Sequence, residues 1–518
     1  MKNANFLWLM FFVLLVFFIA FMLTNTPSNK FYVDNYKYPF DKDDGPSITR
    51  AITEAEKNGG GVIVFSDKQY ITSLTKEKLS SNITLLGNGP SSQIKSTVTG
   101  VLFKSSGKRN IRIKGLSFSG DNNDGLVYEG DTIDGLIIED CDVKNIRLFR
   151  STLPTGIEYS TMEEKFLNRN IQILNNKGVG LDKNTSEAFI DLRYVKDVIA
   201  KGNDIQKYRH GIEWWGGDAN PSKNGVFTNP RWAINISISN NTIDDIGLGG
   251  IWGSMGTNIS IVNKNSVTNC GDVGIDFEGT FSSKATGNYV KNCKNGGLTT
   301  FFFNKDITFE NNVVESDVDQ QYLFKIYNSS NSNNNSIKVI NNKFNHTGSG
   351  IGYVGGEQVE SLLFSKNKLK NTAINFYSLN YKNIEISYTE LSFTNLYNKA
   401  FNAVYLQRLI GNSQINISNI KIVSDVIQPA GSRGIYIILN DYNSLTKAFI
   451  ENNEVKGFPI DVEVRADSAN PGIVPEFFVR NNLMSSRNFI FSKGETQKGK
   501  LFFDGNYDNN KFNYNLTN

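Results

Sequence analysis

Residues 265–293 read NSVTNCGDVGIDFEGTFSSKATGNYVKNC, and two copies of one short motif, Asn265-Ser-Val and Asn288-Tyr-Val, lie 23 residues apart within this stretch. In each copy an asparagine is followed, two positions later, by an aliphatic residue. Between the copies lie short segments with β-strand character, separated by Asn and Gly residues that are typical of turns. A repeat of this length indicates one coil of a solenoid.

The motif recurs through most of the chain. The intervals between consecutive copies from residue 203 to residue 367 are 38, 24, 23, 24, 30 and 25 residues. The copies begin at Asn203, Asn241, Asn265, Asn288, Asn312, Asn342, Asn367, Asn453 and Asn482. One coil cannot bury its apolar face alone, so the coils stack and equivalent residues lie about 4.8 Å apart. Asparagine tolerates the left-handed backbone of a tight turn, and stacked asparagine side chains can bond to one another. The repeat therefore predicts an all-β fold, a parallel β-helix.

A single helix is predicted before the first coil. Residues 43–65 read DDGPSITRAITEAEKNGGGVIVF. Ser47 is the expected N-cap, Ile48, Ile52 and Ala55 share one helix face, and Gly59–Gly61 ends the helix. Such a helix would cover the open apolar end of the solenoid, which would otherwise expose an edge.

The N-terminus carries an uncharged apolar run of 18 residues, FLWLMFFVLLVFFIAFML at 6–23. This run is just long enough to span a bilayer as a helix. The following TNTPSN offers no good cleavage site, so an uncleaved signal anchor is favoured over a cleaved signal, and either exports the rest of the chain. The predicted organisation is a transmembrane signal anchor at 1–25, a linker and capping helix at 26–61, and the β-helix at 62–518. We expect the β-helix to face the periplasm or the cell exterior.

Charge and cysteine content exclude several classes of protein. The formal net charge is only +3 over 518 residues, which gives no reason to expect a nucleic-acid partner. Three cysteines do not make a disulfide framework, and the only histidines, His210 and His346, lie in no Cys/His cluster with zinc spacing. Cys270 and Cys293 each follow their coil's asparagine by five residues, so they should stack on adjacent coils. Parallel side chains suit the torsion of a disulfide poorly, which favours free thiols.

Aligning the coils by their asparagines predicts which residues face outward. In each coil, a strand before the asparagine has an aliphatic residue at the first position of the aligned four-residue segment. These aliphatic residues are Ile190, Ile212, Ile251, Ile275 and Leu298. Strand alternation turns this ladder inward and the next residue outward. The first column is therefore Asp191, Glu213, Trp252, Asp276 and Thr299. The second column is Arg193, Trp215, Ser254, Glu278 and Phe301.

These two columns predict a carbohydrate site, because sugar C–H groups pack on aromatic rings while sugar hydroxyls bond to carboxylates. Glu213 and Asp276 should be roughly 9–10 Å apart along the axis, and Asp276 and Glu278 about 6.6 Å apart along the strand. Inverting glycosidases hold their carboxyl groups about 6.5–9.5 Å apart, so the spacing does not choose between the two pairs. The predicted catalytic residues are Glu213, Asp276 and Glu278, with Glu213 or Glu278 as the acid and Asp276 as the charged base.

Other residues near the two columns are candidates for substrate binding. The long interval after Asn203 places an inserted loop at residues 216–232, and insertions in solenoids often line the binding face. Arg231 and Trp232 of this loop either reach a ligand or pin the loop, and Arg193 with Asp191 equally suits a structural ion pair. The candidate binding residues are Asp191, Trp215, Asp218, Trp252, Lys284 and Lys305.

The capping-helix stretch at 43–65, followed by stacked Asn-rich coils, resembles the pectate-lyase-like superfamily of right-handed parallel β-helix proteins. The exported form is also similar to membrane-anchored β-helix proteins found with exopolysaccharide genes and to tailspike depolymerases. The resemblance implies the fold and a polysaccharide partner, but it does not imply one chemistry.

Three functions are consistent with these residues. Glycoside hydrolysis by the outward carboxylates is the leading interpretation and needs no metal or cofactor. A polysaccharide lyase or uronate epimerase is the alternative enzyme, and there Ca²⁺ could bind to Asp191, Glu213 and Asp276. The third is a non-catalytic glycan-binding scaffold in exopolysaccharide biosynthesis or export.

Overall fold

The chain folds into stacked coils that each contribute strands to three parallel sheets, here named A, B and C. The computed structural model describes residues 29–517 except 122–124, 185–186, 218–229, 328–335, 358–359, 378–382, 410–413, 440–446, 467–473, 487, 494–498 and 507–512. Every strand pairs in parallel with the equivalent strand of the next coil, as between Ile275 and Leu298. The parallel β-helix predicted from the asparagine repeat is confirmed.

The strands of each sheet follow one another at intervals of one coil. Sheet A consists of Lys30–Tyr32, Gly61–Val64, Ile83–Leu86, Arg109–Lys114, Asp134–Glu139, Asn168–Leu174, Val195–Lys201, Ala233–Ser239, Gly256–Val262, Phe281–Thr286, Lys305–Glu310, Ser336–Ile340, Ser361–Ser365, Asn383–Ser387, Gln414–Ser418, Lys447–Glu451, Glu476–Arg480 and Lys500–Asp504. Sheet B consists of Gln69–Thr72, Gln93–Ser96, Ser117–Ser119, Asp142–Lys144, Lys177–Val179, Asp204–Gln206, Thr242–Ile246, Ser266–Cys270, Tyr289–Lys291, Val313–Ser316, Lys343–His346, Lys368–Lys370, Glu390–Phe393, Lys421–Ser424, Glu454–Lys456 and Leu483–Met484. Sheet C consists of Glu77–Lys78, Val101–Ser106, Leu126–Asp131, Arg147–Thr152, Ala188–Arg193, His210–Trp215, Ile251–Ser254, Val273–Glu278, Gly296–Phe301, Tyr322–Tyr327, Gly352–Glu357, Thr372–Tyr377, Asn402–Leu409, Arg433–Leu439, Ile460–Ala466, Asn488–Lys493 and Asn513–Thr517.

The one α-helix among the described residues, α1, spans Gly45–Lys57 and precedes the complete coils. Its N-cap is Asp44 rather than the predicted Ser47, because Pro46 with its fixed φ suits the first turn and the helix starts before it. Ile48, Ile52 and Ala55 are buried as predicted. Short 3₁₀ helices lie at Val33–Tyr36, Gly89–Ser91, Tyr159–Thr161 and Glu164–Phe166.

The solenoid begins before α1, within the segment predicted as a linker, because the strand Lys30–Tyr32 pairs with Gly61–Val64. None of the helices among the described residues has the length and apolar character that a bilayer crossing requires. The predicted signal anchor at residues 1–25 lies outside the described residues and stays a prediction.

Stacked asparagines run along the turn between sheets A and B. The side-chain amide of Asn265 donates to Asn288 Oδ1 at 2.8 Å, and that of Asn288 donates to Asn312 Oδ1 at 3.0 Å. The left-handed backbone falls on the preceding residue instead, for example Asn311 and Asn341. The left-handed backbone and the side-chain bonding, which the sequence predicted for the same asparagine, are thus found on two neighbouring residues. The asparagines bonded in this way are Asn176, Asn203, Asn241, Asn265, Asn288, Asn312, Asn342 and Asn367, and then Asn453, Asn482 and Asn506.

The core follows the predicted inward ladder. Ile212, Ile251, Ile275 and Leu298 are paired in sequence from coil to coil and are fully buried. Cys270 and Cys293 are free, buried thiols at equivalent places in adjacent coils, and each donates to the carbonyl two residues before it, Thr268 and Lys291, which are themselves paired. The predicted stacking of these two cysteines is confirmed, and it places the coils that carry the acids in the expected register.

Candidate functional site

Both predicted columns lie on the outer face of sheet C. Asp191 pairs with Glu213 and Glu213 with Trp252, while Asp276 pairs with Thr299 in the same column. In the second column Ser254 pairs with Glu278. The residues of the two columns therefore share one surface, which we call the acid face.

Ion pairs occupy the first coils of the acid face. Lys104 lies 3.0 Å from Glu129, and Glu129 lies 2.5 Å from Arg150. Asp191 is 1% exposed, and both of its oxygens accept hydrogen bonds from Arg193 Nε, at 2.8 and 2.9 Å. Asp191 is therefore held in a structural ion pair rather than free for a substrate.

Glu213 lies at the end of this network and lacks such a close partner. Its carboxylate is 3.9 Å from Arg193 Nη2, beyond hydrogen-bonding distance, and the residue is 6% exposed. Burial, and then the charge of Asp191, raise the pKa of Glu213 to about 8. Glu213 therefore carries a proton at neutral pH, as a general acid must.

Asp276 and Glu278 form a carboxyl pair two coils further on. Their carboxyl groups are hydrogen-bonded to each other, closer than the spacing of their backbones along the strand implies. Asp276 is 1% exposed and accepts the Thr299 hydroxyl at 2.8 Å, whereas Glu278 is half-buried and accepts the Ser254 hydroxyl at 2.7 Å.

The two acids divide one proton between them. Burial, and then the charge of Glu278, raise the pKa of Asp276 well above its ordinary value. Burial also raises the pKa of Glu278, but the hydrogen bonds from Ser254 and Asp276 oppose that rise. Close acids titrate as a unit, and the larger rise in the pKa of Asp276 favours that residue as the site of a proton shared by the pair. This order is the reverse of the sequence-based expectation, in which Asp276 is charged.

An indole lies between the two acidic groups. Trp252 stands in the column between Glu213 and Asp276 and is partly exposed, as is Trp215 in the second column. His210 supports Trp252, with ring centroids 4.9 Å apart, and His210 Nδ1 accepts the Gly249 N–H at 3.2 Å. Burial lowers the pKa of His210 to about 4, so the imidazole is neutral.

The end of the inserted loop, at residues 230–232, lies beside the acid pair. Arg231 Nε donates to the Gly279 carbonyl at 2.7 Å, and its guanidinium lies 3.2 Å from the Phe281 ring centroid. Asp218 lies outside the described residues.

A second insertion, at residues 153–167, was not predicted from the sequence, although this segment between two strand-like stretches is longer than a turn requires. Its Tyr159 hydroxyl donates to the Pro230 carbonyl at 3.1 Å, which joins the two insertions.

The structure places two predicted lysines elsewhere and adds a third. Lys284 and Lys305 are exposed on sheet A, outside both columns. Lys325 follows Thr299 in the first column and donates to Asn295 Oδ1 at 2.6 Å. Burial lowers the pKa of Lys325, against the charges of Asp272, Glu357 and Asp276. Continuing the first column by one coil, from Thr299 to the next strand, would have identified Lys325 from the sequence.

The residues suggested for Ca²⁺ do not form a common ligand set. Asp191 is engaged by Arg193, while Asp276 is engaged by Thr299 and Glu278. Over the described ranges, no group of three or more His, Cys, Asp or Glu side chains is arranged to hold a metal ion.

Raised pKa values on the acid face predict that stability falls as pH rises. Between about pH 4.5 and pH 8 the folded state retains the Glu213 proton that the unfolded chain releases, so the stabilisation is complete below this window and lost above it. Glu213→Gln should reduce the decline in the free energy of unfolding by up to about 1.4 kcal/mol per pH unit. Urea denaturation between pH 5 and 8 measures this slope. Glu454→Gln, at a surface ion pair with Lys421, is the control and should keep the wild-type slope. If the free energy of unfolding fell equally steeply with pH in Glu213→Gln and Glu454→Gln, the raised pKa of Glu213 would be contradicted.

Comparison with known proteins agrees with this architecture. Residues 190–369 match the family model described as the right handed beta helix region, a span that includes Glu213, Asp276 and Glu278. The sequence matches no curated protein. The chain has the fold of a parallel β-helix protein.

Solved structures similar to the chain have low sequence identity. The pre-mature gene product 12 of bacteriophage phi29 superimposes with a TM-score of 0.50 and 13% identity, covering 91% of this chain and 73% of that protein. The A-module of mannuronan C-5 epimerase AlgE4 from Azotobacter vinelandii has a TM-score of 0.46 and 13% identity, covering 80% and 99%. An exopolygalacturonase from Thermotoga maritima has a TM-score of 0.33 and 12% identity, covering 82% and 88%. The likeness to the phage protein shows a shared fold.

Proposed function

We propose that the protein hydrolyses glycosidic bonds in a polysaccharide that lies along the acid face. One observation carries the proposal: Glu213, a buried acid whose pKa is raised to about 8, and the coupled acid pair Asp276 and Glu278 flank a partly exposed indole, Trp252, on one face of sheet C. This is the combination of acid, base and sugar platform that the reaction needs.

The reaction follows from the two protonation states. Glu213 donates its proton to the leaving oxygen as the bond from that oxygen to the anomeric carbon breaks. A water molecule forms the new bond to the anomeric carbon, and Glu278 takes its proton. Asp276 keeps its own proton and holds Glu278 by a hydrogen bond. Interstrand and along-strand spacing together set the backbones of Glu213 and Glu278 roughly 12 Å apart, so their side chains must lean toward each other to reach the separation of about 6.5–9.5 Å found in inverting enzymes.

Hydrolysis is favoured over elimination by the positions of the cations. A lyase or epimerase needs a cation at the sugar carboxylate and a base at the neighbouring carbon. Arg193 is engaged by Asp191, and Lys325 lies two coils beyond Asp276. A glycan-binding scaffold would use the same face without cleavage.

The cellular location belongs to the proposal too. The apolar run at residues 6–23 supports membrane attachment through an N-terminal signal anchor, with the β-helix in the periplasm or outside the cell. Such a location would bring the acid face to an exported polysaccharide.

The proposed activity is tested with the full-length protein and a panel of alginate, polygalacturonate, α-1,3-glucan and dextran. Release of reducing ends without absorbance near 232 nm, the general marker of unsaturated uronates, is the expected result for hydrolysis. Release with that absorbance would identify a lyase instead. Binding of a glycan without any cleavage would overturn the enzymatic proposal and leave the scaffold function.

Trp252→Ala should weaken binding of the cleaved glycan by about tenfold, which corresponds to about 1.4 kcal/mol, because the sugar loses its aromatic platform. Phe502→Ala is the matched control, since Phe502 is an exposed aromatic residue on sheet A. Affinity electrophoresis through a gel containing the glycan measures both variants. Equal retardation of the two variants would show that Trp252 is not a sugar platform.

A further inference from the structure

A groove of about 350 Å³ lies on the outer face of sheet B, away from the acid face. It crosses five consecutive strands, which begin at Val313, Lys343, Lys368, Glu390 and Lys421. Four interstrand steps give it a length of about 19 Å, enough for several sugar units in an extended chain. We call it the sheet B groove.

The lysines of the sheet B groove break a pattern of charge pairing. Towards the C-terminal end, lysines pair with an acid on the next strand: Lys368 with Glu390 at 3.3 Å and Lys421 with Glu454 at 3.1 Å. Lys343 instead lies directly opposite Lys368, and like charges in that position destabilise a sheet by up to about 1 kcal/mol. Within the described part of the chain, neither Lys343 nor Lys370 forms an ion pair.

The rest of the groove has the chemistry of a saccharide site. Val313 and Val423 are only half-buried and offer apolar surface at its two ends. Between them, the Asn345 side-chain amide donates to Glu315 at 3.3 Å. Asn345 Oδ1 is buried and has no hydrogen-bond partner among the described residues. The apolar surface and the unpaired ammonium groups together match a sugar that carries a negative charge.

We propose that the sheet B groove binds an acidic polysaccharide, whose carboxylates contact Lys343, Lys368 and Lys370. An anion there relieves the repulsion between Lys343 and Lys368 and supplies the missing partner of Lys370. The groove would hold a polymer independently of the acid face, so this site does not depend on the proposed hydrolysis.

Binding is measured by isothermal titration calorimetry with polygalacturonate and, for comparison, with neutral dextran. Every protein compared is full-length and carries Glu278→Gln, so that the acid face does not cleave the probe. The double substitution Lys343→Ala and Lys370→Ala should weaken polygalacturonate binding by at least about tenfold, with an affinity that falls as salt rises. The double substitution Lys57→Ala and Lys338→Ala removes the same charge from exposed positions outside the groove and should change affinity by less than about twofold.

Two results would overturn the groove assignment: equal affinity in the two double variants, or polygalacturonate binding no tighter than dextran binding. Neither result concerns cleavage at the acid face, because Glu278 is already replaced in every protein compared. Conversely, a wild-type protein that cleaves nothing leaves the groove measurement unaffected.

Discussion

Replacing Glu278 by glutamine should lower the rate of glycan cleavage by about 10²–10⁴-fold, the usual contribution of a general base. Glutamine cannot take the proton of the attacking water. Asp276→Asn should retain most of the rate, because burial and the charge of Glu278 raise the pKa of Asp276 well above its ordinary value and so favour its protonated form. An asparagine there can still donate to Glu278 and accept the Thr299 hydroxyl.

The pair of variants forms its own matched comparison, since each replaces one carboxyl by an amide two residues apart. Initial rates of reducing-end release measure cleavage, and affinity electrophoresis shows whether both variants still bind the glycan. The opposite order, with Asp276→Asn inactive and Glu278→Gln active, would show that Asp276 carries the charge. Equal activity of both variants and the wild type would remove the acid pair from the mechanism.

Replacing Asn288 by alanine should destabilise the solenoid by about 3 kcal/mol, because several buried groups lose their partners at once. The Asn288 side chain donates to the Ile261 carbonyl at 2.9 Å and to Asn312 Oδ1 at 3.0 Å, and it accepts from Asn265 at 2.8 Å. Alanine makes none of these bonds, and the site is too deeply buried for water to replace them freely.

Asn416→Ala is the control for this prediction. Asn416 is a half-buried strand residue of sheet A, and its substitution should change the free energy of unfolding by at most about 0.5 kcal/mol. Urea denaturation measures both variants. Because coils contact only their neighbours, the loss at Asn288 should also appear as faster amide exchange in the adjacent coils. Equal free energies of unfolding for Asn288→Ala and Asn416→Ala would show that the stacked asparagines contribute little.

The fold and the membership of the acid face followed from the order of residues. A coil repeats a local pattern, and strand alternation assigns each residue to one side, so the register of Ile212, Ile251 and Ile275 could be counted along the chain. The same counting placed Glu213 with Trp252 and Ser254 with Glu278. Counting was less secure where coils lengthen, and this is where the insertion at 153–167 and Lys325 were missed.

The charges of the acid face depended on contacts that no local pattern contains. Whether an acid is ionised follows from its burial and from the groups that surround it. Arg193 bonds to Asp191 and leaves Glu213 protonated, while the fold brings Asp276 and Glu278 close enough to share a proton. Lys284 and Lys305 turned onto another sheet because a turn separates sheets C and A. Residue order determines which side chains share a face, and packing between coils determines which of them carries the proton.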